Sequence, residues 1–247
     1  MKKIKILQII PSFGIGGAEK LVLDYLTYLD KEALDVRAIS LYKDENTHYN
    51  IAIKDQNLLV YYLDKKPGLD FTMIRKIKKI IDEFNPDVIH SHLYCMKYLI
   101  PSLLNKKNVR MFHTIHNEPQ KDARGGNKLA NKLAFKICGV TPIALTDDLR
   151  EEVNKYYRLN NAITVHNGIC LDNFKKVRID TYNAKKRLEI PPESFVVGHV
   201  GRFFKQKNHT LILDIFADVL KKRDDSYLLL VGDGELKSEI QNKAREL

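Results

Sequence analysis

Apolar and polar positions along this chain follow two alternating periods. Short apolar runs bounded by turn residues, at 4–10, 35–41, 58–63, 87–91, 109–115, 141–145 and 162–165, read as buried strands. Between them, stretches at 17–30, 70–84, 94–105, 125–138 and 147–157 carry the three-to-four spacing of helices. The clearest stripe is Ile74, Ile77, Ile80, Ile81 and Phe84, with Lys and Arg on the opposite, wet face. Asn85-Pro86-Asp87 stops that helix and hands over to the next strand. Strands alternating with helices predict an α/β fold, a parallel sheet covered on both faces.

The pattern changes between 175 and 194, where charged residues and Pro191-Pro192 interrupt it and one helix is predicted near 180–188. This divides the chain into a Rossmann-like domain at 1–175, a linker at 176–193 and a second domain at 194–247. The second domain is predicted as strand 194–201, helix 206–222, strand 226–232 and helix 235–246. A mononucleotide-binding half has about three strands, so the second domain is expected to be incomplete.

Composition narrows the classes. The 247 residues are 44% hydrophobic and 29% charged, ordinary for a globular protein. No apolar run reaches the roughly 18 residues of a spanning helix. The opening MKKIKILQIIPS has a basic head, but Lys5 and Gln8 interrupt the apolar run and favour a first strand over a signal peptide. Cys95, Cys138 and Cys170 are scattered and form no CxxC, so they read as free thiols in a reducing cytoplasm. The net charge of +10 favours anionic partners. The basic clusters lie near 75–79, 106–110 and 121–136 and suit an anionic membrane surface. No nucleic-acid motif accompanies them, so no nucleic-acid partner is expected.

Three groups of residues carry candidate chemistry. Two strand–loop–helix units, PSFGIGGAEK and GRFFKQKNH, have the layout that brings backbone and a helix start to a phosphate. In the first, Gly16 and Gly17 permit close approach. Glu19 occupies the third glycine position of the dinucleotide fingerprint, which excludes the NAD reading. In the second, Gly201 ends a strand, and Arg202 and Lys207 offer a guanidinium fork and a point charge. His90, His92, His113 and His116 fall at the ends of two predicted strands, where an open parallel sheet forms its ligand crevice. Their spacing matches no recognised metal set, so no metal is expected.

Residues 2–20 and 196–219 together resemble the retaining GT-B glycosyltransferases of the family-4 type. The resemblance implies that the glycine loop lies against acceptor and diphosphate, while Arg202 and Lys207 hold the donor diphosphate. It matches the last histidine of HTIHN, His116, to an active-site position near the transferred sugar, with His92 second. Asn167 and Gly168 resemble the family's NG segment, although Cys170 stands where an acidic residue is usual and Asp172 follows two positions on. LLLVGDGEL, with Gly232 and Asp233, is similar to the family's loop near the nucleotide. The acidic motif that holds the donor sugar in the family falls beyond this sequence, so a truncated chain, inactive alone, is expected. What the resemblance implies is a nucleoside-diphosphate sugar as donor substrate, no separate cofactor, and a glycan or lipid-linked acceptor. It also implies a cytoplasmic enzyme of envelope or capsular polysaccharide synthesis, peripheral on the inner face of the membrane. The rival expectations are a non-catalytic fragment or binding partner and a GT-B sugar-nucleotide epimerase.

Overall fold

The computed structural model describes residues 2–103, 108–175 and 179–247. The end of the predicted helix 94–105, the start of the basic cluster at 106–110 and residues 176–178 of the predicted linker lie outside the described residues. The chain divides into two compact units, Met1–Leu171 and Asp172–Leu247.

The first unit alternates strand and helix as the periodicity predicts. It contains β1 (Ile4–Ile10), α1 (Gly17–Tyr28), β2 (Leu34–Ser40), α2 (His48–Asp55), β3 (Val60–Tyr62), α3 (Thr72–Phe84) and β4 (Val88–His92). It continues through α4 (Met96–Leu103), β5 (Arg110–Ile115), α5 (Pro119–Asp122), α6 (Gly125–Lys136), β6 (Thr141–Ala144), α7 (Asp147–Tyr157) and β7 (Ile163–Thr164). All seven strands are parallel, in the order β3-β2-β1-β4-β5-β6-β7. The order reverses between β1 and β4, which makes their C-terminal ends the topological switch point.

Alternation along each strand splits the core into two layers. Leu7, Ile9, Ile39 and Ile89 face Met73, Ile77, Ile81 and Phe84 of α3 together with Met96 and Leu99 of α4. Ile10 and Ala38 face Ala18, Val22 and Leu26 of α1 and Ile53 of α2. Asn85 closes α3 in the left-handed conformation, its N–H donating to the Ile81 carbonyl. Truncating Ile77 to Ala would cost about 2–5 kcal/mol, as for other fully buried aliphatics.

Helix α2 was not predicted, because His48–Asp55 carries little apolar periodicity. It forms through a capping box between Thr47 and Asn50. Thr47 Oγ1 also donates to the Phe13 carbonyl, and Asn50 Nδ2 to Tyr62 Oη at 3.0 Å, so this helix braces the loop after β1.

The second unit holds α8 (Asp172–Lys175), α9 (Thr181–Arg187), β8 (Phe195–Val200), α10 (His209–Leu220), β9 (Ser226–Val231) and α11 (Lys237–Glu246). Strands β8 and β9 form a two-stranded parallel sheet. Its core is Phe203, Leu213 and Ile240, and Leu211, Ile215 and Leu220 of α10 remain exposed. Helix α10 begins at His209, three residues later than expected, because Asn208 adopts φ +48° after a 3-10 turn at Lys205–Lys207.

Candidate functional site

The predicted site residues of the first unit gather around its switch point. The loop after β1 enters α1 at Gly17, and Gly16 is its extended N-cap with no side-chain hydrogen bond. Gly14, Gly16 and Gly17 are absent from the positive-φ conformations of the chain. A Cβ on Gly17 would meet nothing within 4 Å, and the three atoms nearest to one on Gly16 all belong to the Glu19 carboxyl group. Neither backbone conformation nor close packing against fixed atoms therefore demands glycine at these two positions. What remains is room for something to approach the backbone.

Strands β4 and β5 carry the histidines, and the pleat sorts them onto two faces. His90 and His92 share the α1 side of the sheet with Gln8 of β1, Thr114 and His116. Ser91 and His113 point the other way, where Ser91 Oγ and His113 Nδ1 lie 2.8 Å apart and the His113 ring packs against Phe135. His113 is a core histidine; His116 is not.

On the α1 side a hydrogen-bonded chain links three residues far apart in sequence. His92 Nε2 lies 3.0 Å from Gln8 Oε1, and His92 Nδ1 lies 3.0 Å from His116 Nε2. The amide oxygen only accepts, so the proton of the neutral His92 ring sits on Nε2 and its Nδ1 is an acceptor. His116 then donates from Nε2, and its Nδ1 lone pair has no partner among the described residues. Burial is the main reason these rings stay neutral. It lowers His116 to about 4, His90 to about 4 with help from His116, and His92 far below the usual imidazole range. Asp122 of α5 lies behind His116. Burial raises its carboxyl to about 6, while a hydrogen bond from the His116 backbone N–H opposes that shift. Among the described residues its Oδ2 is buried without a partner.

Sequence reasoning used Gln8 only to argue against a signal peptide, and it missed Asp122. The available signal for Gln8 was a polar residue inside a buried apolar run, which requires a partner. Asp122 lies in the four-residue α5, which showed no period.

In the second unit, Arg202 and Lys207 are both exposed, and among the described residues neither forms an ion pair. Arg202 lies 5.2 Å over the Phe204 ring. Lys207 belongs to the 3-10 turn and not to the first turn of α10, contrary to expectation. The loop is braced by backbone contact with the next one. Gly201 N–H donates to Val231 O, Phe203 N–H to Asp233 O, and Leu236 N–H to Phe203 O, at 2.9–3.1 Å. A Cβ on Gly232 would fall 2.0 Å from Gly201 O, and one on Gly234 would fall 2.4 Å from Phe203 O. Packing of one loop on the other thus accounts for both glycines of GDG. Asp233 is exposed; its Oδ1 accepts from the Gly234 N–H and pairs with Lys237 at 3.6 Å. Beside these loops, Lys205, Asn208, Thr210, Glu235 and Glu239 line a cavity of about 420 Å³.

Asn167 and Gly168 lie in irregular, exposed chain after β7, and His166 Nδ1 is 2.9 Å from the Leu145 carbonyl. Gly168 has no positive φ, and a Cβ there would meet nothing. The Asn-Gly pair therefore forms no left-handed turn. Among the described residues no three His, Cys, Asp or Glu side chains come together as a metal-ligand set. No helix among them is long and apolar enough to cross a membrane.

This α/β architecture, a seven-stranded parallel sheet followed by a second small parallel sheet, is that of the GT-B fold. The chain superposes with a TM-score of 0.78 on a glycosyltransferase from Rickettsia africae, at 18% identity over 100% of this chain and 65% of that one. It superposes with a TM-score of 0.75 on Anabaena HepE in complex with UDP-glucose, at 18% identity over 99% of this chain and 66% of that one. The model of Glycosyltransferase Family 4 matches residues 15–173 and that of the glycosyl transferases group 1 matches residues 180–247; the chain belongs to Glycosyltransferase Family 4. Its relatives include the capsular polysaccharide biosynthesis glycosyltransferase CapH of Staphylococcus aureus, 28% identical over 97% of this chain. The chain spans 64% of the length of that relative.

Proposed function

We propose that this chain carries the acceptor-side domain and the diphosphate-gripping loop of a retaining hexosyl-type glycosyltransferase. The enzyme moves a sugar from a nucleoside-diphosphate sugar to a glycan or lipid-linked acceptor, in the cytoplasm, during capsular or envelope polysaccharide assembly. One observation carries the reading. Among the described residues Arg202 and Lys207 form no ion pair, and they flank a Gly201–Phe203 backbone that the neighbouring loop holds by hydrogen bonds. Charge develops on the leaving diphosphate, and preorganised donors aimed at it are the main catalytic service such a site offers. Gly201, Gly232 and Asp233 build the scaffold of this loop. Gly16, Gly17, Asn167 and Gly168 leave open backbone for acceptor or donor, and His116 Nδ1 accepts a hydrogen bond from a sugar hydroxyl, with His92 behind it. The name of CapH supports the polysaccharide setting.

Peripheral contact with an anionic membrane belongs to the same proposal. Leu129, Leu133 and Ile137 form an exposed apolar stripe along and just beyond α6, with Lys128, Lys132 and Lys136 beside it. Apolar insertion with flanking lysines is the pattern of interfacial helices.

Titration calorimetry of the chain with UDP, GDP and dTDP tests the donor assignment. At least one diphosphate binds, and Arg202→Ala and Lys207→Ala each weaken it by about 10- to 100-fold, the worth of a hydrogen bond to a charged group. Equal affinity in wild type and both variants contradicts the assignment. The epimerase rival predicts donor conversion without acceptor, which product analysis with and without acceptor separates.

A further inference from the structure

Just beyond His92 the chain turns on Leu93, which has φ +54°, a left-handed conformation unfavourable for a residue with a Cβ. Such outliers persist where the surroundings over-determine them, and Leu93 packs against the α1-side core. The turn leaves Tyr94 at the surface and brings Lys97 into the first turn of α4. The Lys97 ammonium lies 5.9 Å from the Tyr94 ring centre and 5.3 Å from that of Tyr98. Lys65, which follows β3, lies 5.8 Å from the same Tyr98 ring and 5.0 Å from Tyr42. Two ammonium groups therefore share one tyrosine frame at the sheet edge that includes the glycine loop and His92.

The two lysines are satisfied differently. Lys65 is buried, and its ammonium donates to the Lys66 and Gly68 carbonyls and to Tyr42 Oη. Lys97 is half-buried, and among the described residues it has no hydrogen-bond acceptor and no carboxylate partner. Burial first, then the positive charge of Lys65, lowers its pKa. The aromatic faces attract the cation but accept none of its three N–H donors. A partly desolvated ammonium beside a second cation, with no carboxylate partner among the described residues, is relieved by an incoming oxyanion.

We propose that Lys97 is an anion subsite for the acceptor, with Tyr94 as the flat surface beside it. The acceptor received at this edge bears a carboxylate or a phosphate. The inference rests on the acceptor-side reading of the first unit given above.

The test titrates the full chain with methyl glucuronide, methyl phosphate and methyl glucoside, reading amide shifts at residues 93–97. One or both anions bind about 10- to 100-fold tighter than the neutral glucoside, as one charge-assisted hydrogen bond provides. Lys97→Met abolishes the difference, and Lys97→Arg retains it. Lys155→Gln, the same charge loss on an exposed position of α7, leaves it unchanged. Preference for the glucuronide assigns the charge to an acidic sugar; preference for methyl phosphate assigns it to a phosphorylated carrier. Neutral and anionic probes binding alike, or Lys155→Gln acting as strongly as Lys97→Met, overturns the subsite. UDP is titrated into the same samples. GDP and dTDP are titrated in the same way; binding of at least one of the three diphosphates without anion preference at Lys97 sinks the subsite alone, whereas no binding of any of the three sinks the donor assignment as well.

Discussion

Removing the Gln8 amide is expected to be felt at His116, two hydrogen bonds away. In wild type, nitrogen NMR of the imidazoles should find His116 neutral and protonated on Nε2, with His92 protonated on Nε2 as well. Gln8→Leu leaves the buried His92 N–H without its acceptor, at a cost of about 1–3 kcal/mol. It also frees His92 to exchange tautomers, so the His116 signal should lose its single-tautomer shifts. A double-mutant cycle between Gln8→Leu and His116→Ala should be non-additive by about 0.5 kcal/mol or more, because both act through one ring. Additive effects with an unchanged His116 spectrum would contradict the hydrogen-bonded chain. Residue-level legibility was uneven for a physical reason. The strand-end histidines announce themselves by type, and the pleat then assigns His113 to the core and His116 to the crevice side. A glutamine inside an apolar strand gains meaning only when its neighbour 84 positions away is known.

Among the elements, the two glycine loops should respond oppositely to alanine. Gly232→Ala drives a methyl into the Gly201 carbonyl, and the second unit should lose at least the ~1–3 kcal/mol typical of overpacking. Gly17→Ala meets no atom and improves a helix start, so denaturation midpoints should hold or rise, by up to ~1 kcal/mol. If the open backbone there serves a ligand, Gly17→Ala weakens acceptor or donor binding while stability holds; unchanged binding removes that role. At α6, replacing Lys128, Lys132 and Lys136 with Gln should weaken binding to phosphatidylserine vesicles by about 1 kcal/mol per lysine near the surface. Vesicle binding equal to wild type would dismiss this helix as the docking face. Element type was readable wherever periodicity was strong, as in α3, and unreadable where a side-chain cap creates the helix, as in α2. The late start of α10 follows from Asn208 in a left-handed conformation, which spacing does not announce.

For the molecule as a whole, the buried neutral histidines set a pH dependence. His90, His113 and His116 sit at about 4, 3 and 4 in the folded chain, and burial holds His92 well below its usual value. The unfolded chain binds protons near 6.5, so between that pH and the folded values it holds more protons, and stability falls as pH falls. Each such group contributes about 1.4 kcal/mol per pH unit inside its window. Asp122, raised to about 6, has the opposite slope between its ordinary value of 3.8 and about 6 and offsets one of them. The melting temperature of the first unit should therefore drop from pH 7 to pH 5; a flat or rising profile would contradict the neutral assignment. Leu211, Ile215 and Leu220 of α10 are exposed, so the second unit is expected to be the more labile, and limited proteolysis should leave a stable N-terminal piece ending near 175.

The most direct test of the central claim is amide-shift mapping of the chain with UDP, GDP and dTDP, and with the matching nucleosides as controls. The account predicts that at least one nucleoside diphosphate moves the signals of residues 201–208 and 232–236, that the parent nucleoside binds far more weakly, and that Arg202→Ala combined with Lys207→Ala removes the response. Diphosphate and nucleoside shifts that are equal, or confined to other parts of the chain, would contradict it.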